Sequence, residues 1–417
     1  MIEYDERIYK NIVLFSPFIK IGKIQDAFKQ ISTKKEEEYS LKNTLKEYNR
    51  KFREKNNKSY DYASKSLAAM VKNEILTIEQ IDEILFIITE DSLFNSYIYK
   101  LSSEQLKTNG ERLINWKLPN TIEILENIGI STKKDFKVCG YKLVEGTPGT
   151  VESLRLLLID SQILQRYDKE EDETYNFIFP TLVEYDFRRQ LLHIRTQEIN
   201  NIINTEDKFR TASGRIKNTL TFIDSFKNPI KYKHVSNFKE KLFNIEENLL
   251  KEVRNKVNKE LDSFKEPINV FCKSIDAKYK NKSENISTAD YVKTSIQTII
   301  AMNIVRNPLG DITSIKFRNK STDDESSYSE VSIRDKKNHC ISVDNLYWLN
   351  LAVLLDVKSV ESMKLVLYKD NLTSLVNLDY SLGTGNIKLL KNTAGEDGTM
   401  PSQVKYDSVL DELVKFI

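Results

Sequence analysis

The sequence predicts a multi-domain α+β chain, helix-rich in its N-terminal and central regions and closed by a C-terminal domain with a mixed or antiparallel sheet. Three observations lead there. The chain has 417 residues, more than one ordinary core organises. Apolar residues recur at helical spacing through residues 60–128 and again through 206–285. From about residue 286 the spacing changes to short alternating runs separated by polar turns, the pattern of strands. The expected regions are 1–205, α+β with a hairpin at 177–196; 206–285, basic and helical; and 286–417, α+β.

In chain order, "IYKNIVLFSPFIKIG" (8–22) reads as an apolar strand, and Lys23 to about Ile31 as a helix. Residues 34–58 form a highly charged helix or arm. "YASKSLAAMVKNEILTIEQIDEIL" (62–85) suits two helices joined at a sharp turn, and a DNA-reading helix-turn-helix is conceivable there. Asn120 and Glu123 have the spacing of a capping box behind Pro119, with Gly129 where a helix would stop. "FKVCGYKLV" (136–144) alternates like a strand, and "TVESLRLLLID" (150–160) reads as the next helix, entered through the glycine turn "VEGTPGT". Phe238, Leu242, Ile245, Leu249, Val253, Val257 and Leu261 mark one face of a long amphipathic helix, which Pro267 ends or bends. Beyond it, "ITSIKF", "SEVSIRD", "CISVD", "KLVLY", "LTSLVNLDY" and "NIKLL" read as strands, with "NLYWLNLAVLLDV" a buried helix among them and "LGTGN" a hairpin turn.

Composition narrows the functional classes. An apolar share of 40% with 30% charge is that of a globular protein. The start, "MIEYDERIYK", lacks the cationic opening of a secretory signal, and the longest apolar runs fall well short of the ~20 residues that cross a bilayer. Three dispersed cysteines (Cys139, Cys272, Cys340) suit a reducing compartment, so a cytoplasmic protein with no membrane partner is expected. Net charge is only +2, yet residues 208–282 hold 18 Lys and Arg against 9 Asp and Glu. A second basic stretch, 42–58, has seven basic and two acidic residues.

"PTLVEYDFRRQLLHIRT" (180–196) concentrates carboxylates, arginines and a histidine. With Phe187–Gln190 as the turn, Asp186 faces Leu191, Tyr185 faces Leu192, Glu184 faces His193 and Val183 faces Ile194. Val183, Tyr185, Leu192 and Ile194 then meet a core, while Glu184, His193, Asp186 and Arg195 form a polar face turned to solvent. A general-base role for His193 would need a nucleophile, and the segment holds no cysteine or serine. The hairpin is therefore read as scaffold.

Metal binding through histidine has little support, because His193, His234 and His339 are scattered and no HExxH occurs. One acidic pattern has the spacing of metal-dependent phosphodiester cleavage. Asp356 and Lys358 follow the apolar run "LAVLL", with Asp335 and Asp344 upstream. Two carboxylates, Asp356 and one upstream Asp, would hold Mg²⁺, and the Lys358 ammonium would stabilise developing charge. That requires residues 351–356 to be extended and the upstream aspartate to lie on a neighbouring strand.

The basic middle supplies the preferred expectation, a non-catalytic nucleic-acid- or partner-binding component of a larger assembly, with no cofactor. Arg210, Arg215, Lys217, Lys231, Lys233, Lys239 and Lys241 are the expected phosphate contacts, since cations that neutralise phosphates release condensed counterions. A nuclease with Mg²⁺ is the first alternative. A protein-only scaffold that oligomerises through helix 237–264 is the second.

Overall fold

Asp5 opens the chain's first element as a helix, its carboxylate accepting from the Ile8 N–H at 2.9 Å, where a strand was expected. In this computed structural model, α1 (Glu6–Val13) is followed by α2 (Ile21–Ile31), α3 (Lys35–Arg53), α4 (Ser59–Lys72) and α5 (Ile78–Glu90). Residues 12–19 are apolar nearly throughout because helices surround them, and such a run does not by itself distinguish a strand from a buried helix. Thr77 and Gln80 form a reciprocal capping box at the start of α5. From Ile81 to Glu90 that helix is almost wholly buried, so it offers no recognition face for a DNA groove.

The structure describes residues 2–54, 58–102, 106–108, 110–128, 136–160, 162–168, 172–198, 202–203, 211–281, 286–303, 310–320, 328–335, 340–369, 371–391 and 400–417. The chain divides into two compact units, Met1–Lys233 and His234–Ile417. Antiparallel sheet and helix occur in both, as the α+β expectation requires. The expected basic region 206–285 is shared between them: α8 (Ala212–Asp224) belongs to the first unit, and α9 (Phe238–Leu261) to the second. Among the described residues no helix is long and apolar enough to cross a membrane.

In the first unit, β1 (Asn95–Leu101), β2 (Phe136–Glu145), β3 (Val151–Asp160), β6 (Thr181–Asp186) and β7 (Leu191–Thr196) form an antiparallel sheet in the order β1-β7-β6-β3-β2. A small sheet holds β4 (Leu164–Asp168), β5 (Glu173–Phe177) and β8 (Ile202–Ile203). Two sequence expectations fail here. β1 lies in the stretch expected to be helical, and β3 replaces the helix expected at 150–160. Both faces of β3 are covered, so it carries an unbroken Leu156-Leu157-Leu158 run, which mimics a buried helix. The glycine turn before it is a hairpin turn with Gly149 at φ +80°, not a helix entry. Nor does the Asn120–Glu123 box form, since Glu123 itself precedes the short α7 (Ile124–Asn127); Gly129 lies outside the described residues.

Two layers cover this sheet. Leu157, Ile159 and Leu182 pack with the N-terminal helices and α7. On the other side Leu154, Leu156, Val183, Tyr185, Leu192 and Ile194 pack with α6 (Glu111–Trp116) and α8 through Trp116, Ile216 and Ile223.

The second unit holds β10 (Gly310–Lys320), β11 (Tyr328–Arg334), β12 (Ser362–Lys369), β13 (Leu372–Ser381) and β14 (Thr384–Leu390), antiparallel in the order β11-β10-β12-β13-β14. A three-residue strand, β9 (Tyr232–His234), falls where the two units meet in the chain. The amphipathic helix forms as expected, but it stops at Leu261, before Pro267. A 3₁₀ turn (Asp262–Phe264) intervenes, and Pro267 sits in the first turn of α10 (Lys265–Asp276), where no N–H is needed. Then come α11 (Thr288–Ala301), α12 (Asn345–Leu349), α13 (Leu351–Val357) and α14 (Gln403–Leu413). "CISVD" makes a 3₁₀ turn at Ile341–Val343 rather than a strand. Gly383, at φ +78°, turns β13 into β14, and Gly385 leaves the room that the Phe238 ring of α9 occupies.

Candidate functional site

The 180–196 hairpin forms in the expected register, with Glu184 opposite His193 and Asp186 opposite Leu191. Its polar face, however, is not solvated. Glu184 (2% exposed), His193 (0%) and Arg195 (0%) are enclosed beneath α5, whose apolar "ILFII" run was the available signal that this helix is covered on several sides. Arg195 Nη1 donates to Glu184 Oε2 at 3.0 Å, while its Nε and Nη2 donate to the carbonyls of Leu93 (2.8 Å) and Glu90 (3.0 Å) at the end of α5. Arg155 bridges Glu184 (2.8 Å) and the Glu90 carboxylate (2.9 Å), and Lys142 reaches the other Glu90 oxygen at 3.3 Å. Burial by itself would push the Glu184 carboxyl up; Arg155 and Arg195, then His193, outweigh it and hold its pKa at about 2. Burial pushes His193 down, with Glu184 and Asp186 opposing, so the imidazole is neutral near pH 7.

β1 brings Ser96 Oγ within 3.5 Å of His193 Nδ1, a serine that lies nearly a hundred residues upstream of the hairpin. Both residues are 0% exposed, so the pair is not presented to a substrate. The network holds α5 to the sheet: it satisfies helix-end carbonyls and pairs every buried carboxylate it contains.

The central cations are divided in fate. Arg215, expected to touch phosphate, is 1% exposed and pairs with Asp160 at 2.9 Å, donates to the Phe179 carbonyl at 2.8 Å and stacks on the Phe179 ring. It is a core residue because α8 packs that face on the sheet. Lys239 pairs with Glu361 at 2.7 Å, and Lys241 donates to the carbonyls of Phe416 and Ile417. Lys217, Lys231 and Lys233 are exposed, and Arg210 lies outside the described residues. The apolar stripe of helix 237–264 is likewise used internally: Phe238, Leu242, Ile245, Val253 and Val257 are buried within the second unit.

The nuclease geometry is not what forms. Residues 351–357 are helical, not extended; Asp356 is exposed near the end of α13, and Lys358 follows as its left-handed cap at φ +46°. Asp344 caps α12 by accepting from the Leu346 N–H at 2.8 Å, and Asp335 follows β11. Leu351, Ala352 and Leu354 bury one side of this helix, in keeping with the expectation of a buried helix for "NLYWLNLAVLLDV". His339 lies outside the described residues, among which no group of three or more His, Cys, Asp or Glu is arranged to hold a metal.

A basic groove does form, at the second charged stretch. Leu41, Leu45 and Phe52 bury one side of α3. Asn43, Lys46, Asn49, Arg50 and Arg53 line a groove of about 470 Å³, closed by Gln25 of α2 and Tyr62 of α4. Asn49 is 7% exposed, and its Oδ1 accepts from the Ser66 hydroxyl at 2.7 Å, which turns its Nδ2 donor away from Ser66. Glu47, the one acid in the groove, is paired with Lys51 at 2.6 Å. Among the described residues Lys46, Arg50 and Arg53 have no ion-pair partner. The helix rise separates Lys46 from Arg50 by about 6 Å and Arg50 from Arg53 by about 4.5 Å along the axis.

No family model, curated protein or solved structure matches the chain. Local chemistry therefore bears the functional reading.

Proposed function

We propose that the protein is a non-catalytic nucleic-acid-binding component, engaging the phosphate backbone through the groove on α3. The observation that supports this is the set of Lys46, Arg50 and Arg53, three cations on one helix face that have no ion-pair partner among the described residues. Unneutralised cations project a field, whereas ion-paired ones project little. Asn43, Asn49 and Gln25 add neutral donors and acceptors beside them, suited to phosphate oxygens, sugar hydroxyls or base edges. Lys217, Lys231 and Lys233, also exposed on this unit, are not part of that groove.

Fluorescence anisotropy of labelled single strands and duplexes, titrated between about 50 and 200 mM salt, tests this reading. Each phosphate contact contributes a slope of roughly 0.7 on single strands and 0.9 on duplexes. Lys46→Ala/Arg50→Ala/Arg53→Ala should therefore flatten the salt dependence by about 2 to 3. Undetectable affinity of the wild-type protein at low salt, or an unchanged slope in the variant, refutes the proposal.

A further inference from the structure

The second unit carries a different groove, of about 530 Å³, along α9. Asn244, Asn248, Asn255 and Asn258 lie on its helical wall, with Gln297 of α11 opposite Asn258. The facing wall is apolar: Leu351 and Leu355 of α13, and Phe416. Leu355 is 38% exposed on that wall. Among the described residues Asn244, Asn248 and Asn255 make no hydrogen bond through their side chains, while Gln297 donates to Asn258 at 2.8 Å.

The charges in this groove differ from those on α3. Arg254 is turned inward, donating to both oxygens of the buried Glu246 at 2.6 and 2.7 Å and contacting the Tyr347 hydroxyl at 2.9 Å. Its charge is thereby compensated, and Glu247 adds an acid to the lining. Among the described residues only Lys251 brings an unpaired cation to this groove. Such a surface does not suit a polyanion. It does suit a ligand that presents donors and acceptors side by side, because the carboxamide is the neutral side chain that offers both. The peptide group has the complementary pair.

Spacing agrees with an extended chain. Asn244 and Asn248 are about 6 Å apart along the helix axis. An extended chain presents its N–H and C=O pairs on one side about every 6.6 Å. From Asn244 to Asn258 the axial distance is about 21 Å, the length of roughly six extended residues. We propose that the α9 groove binds an extended, proline-poor peptide segment of a partner protein, its backbone read by Asn244, Asn248 and Asn255, with an acidic side chain toward Lys251 and apolar side chains toward Leu351, Leu355 and Phe416. Main-chain hydrogen bonds supply affinity and the apolar wall supplies selectivity.

The probe is a displayed library of random peptides about twelve residues long, twice the predicted footprint, panned on the full-length protein. Enriched peptides should carry apolar residues at alternate positions and one acidic residue, and should lose roughly tenfold in affinity to Asn248→Leu and to Asn255→Leu. Both substitutions are at exposed helix positions. A second measurement leaves the protein unaltered. One enriched peptide is resynthesised with N-methyl groups on alternate peptide nitrogens, in two versions of opposite parity. Methylation of the groove-facing set should abolish binding and methylation of the other set should preserve it, because an extended chain turns alternate amides to opposite sides. Failure to enrich any peptide, equal loss in the two methylated versions, or affinity unaffected by both asparagine substitutions overturns the proposal.

Discussion

Replacing Arg195 by Met tests whether the buried charges act as a clamp. Met keeps an apolar stem beside the Phe94 ring, which the guanidinium overlies at 5.0 Å, but removes the ion pair to Glu184 and the donors to Leu93 and Glu90. Breaking one partner of a buried pair typically costs 3–5 kcal/mol, because the remaining charge stays enclosed. Glu184 keeps Arg155 at 2.8 Å, which argues for the lower half of that range; loss of the bonds to the Leu93 carbonyl and to the Glu90 carbonyl, which keeps a 3.5 Å bond from the Leu93 N–H, moves it toward the upper half. The expected loss is therefore about 3–5 kcal/mol. The 417-residue chain folds into two units, so a single global midpoint is the wrong readout. Amide exchange of a peptide covering residues 181–196 reads the local opening energy directly. Its protection should fall by roughly two to four orders of magnitude, and Glu184→Leu with Arg195→Met together should cost less than the sum of the single changes. As a control, Lys51→Met removes an exposed pair with Glu47 and should change protection by less than about threefold. A loss below about 1 kcal/mol in Arg195→Met would show that the network is not a clamp.

Two further outcomes follow from the same core. Glu184 has a folded pKa near 2 against an ordinary value of 4.5, so it contributes roughly 3 kcal/mol above pH 4.5 that is lost as pH falls toward 2. His193, pushed below its ordinary 6.5 by burial, also costs stability once pH falls beneath about 6.5, whereas Asp82, raised to about 6 by burial, acts in the opposite sense between about pH 6 and 4. Comparing urea unfolding of wild type and His193→Gln isolates the histidine: the variant should lose less stability between pH 7 and 5, and an equal or larger loss would contradict the assignment. Arg215→Leu should destabilise the first unit by about 3 kcal/mol or more through the stranded Asp160, yet leave the salt slope of nucleic-acid binding unchanged. A flatter slope in that variant, measured by the anisotropy titration, would place Arg215 on the surface after all.

Local pattern was legible where one face of an element met the core and the other met water. The α9 stripe and β12 have that property, and both formed as expected; the hairpin register formed as well, because its two faces differ in polarity although both are buried. Reading failed where an element is covered on all sides. β3 carries a leucine run with no clean period, so a helix is predicted where a strand forms. The polar face of the hairpin failed for a related reason: alternation reveals that two faces differ, not whether the polar one is wet. Only the third dimension brings Glu90, Arg155 and Ser96 to that face, from positions between 29 and 105 residues away from their partners.

The same distinction governs charge. Sequence counts cations, but a polyanion responds only to those whose field is not cancelled nearby. Residues 208–282 hold the greater excess, yet Arg215, Lys239 and Arg254 are each paired with a carboxylate within 3 Å, and Lys241 is tied to chain-end carbonyls. Stretch 42–58 has fewer cations, but the one acid among its groove-lining residues, Glu47, is paired with Lys51, and Lys46, Arg50 and Arg53 have no ion-pair partner among the described residues. The i,i+4 pairing of Glu47 with Lys51 is what frees the groove, since its glutamate is already satisfied by a lysine one turn ahead. Replacing Lys51 by Met would release Glu47 toward Arg50 and weaken nucleic-acid binding from outside the phosphate contacts; Lys51→Met/Glu47→Gln should restore affinity, whereas Lys51→Met/Glu36→Gln, of the same net charge but with Glu47 still released, should not.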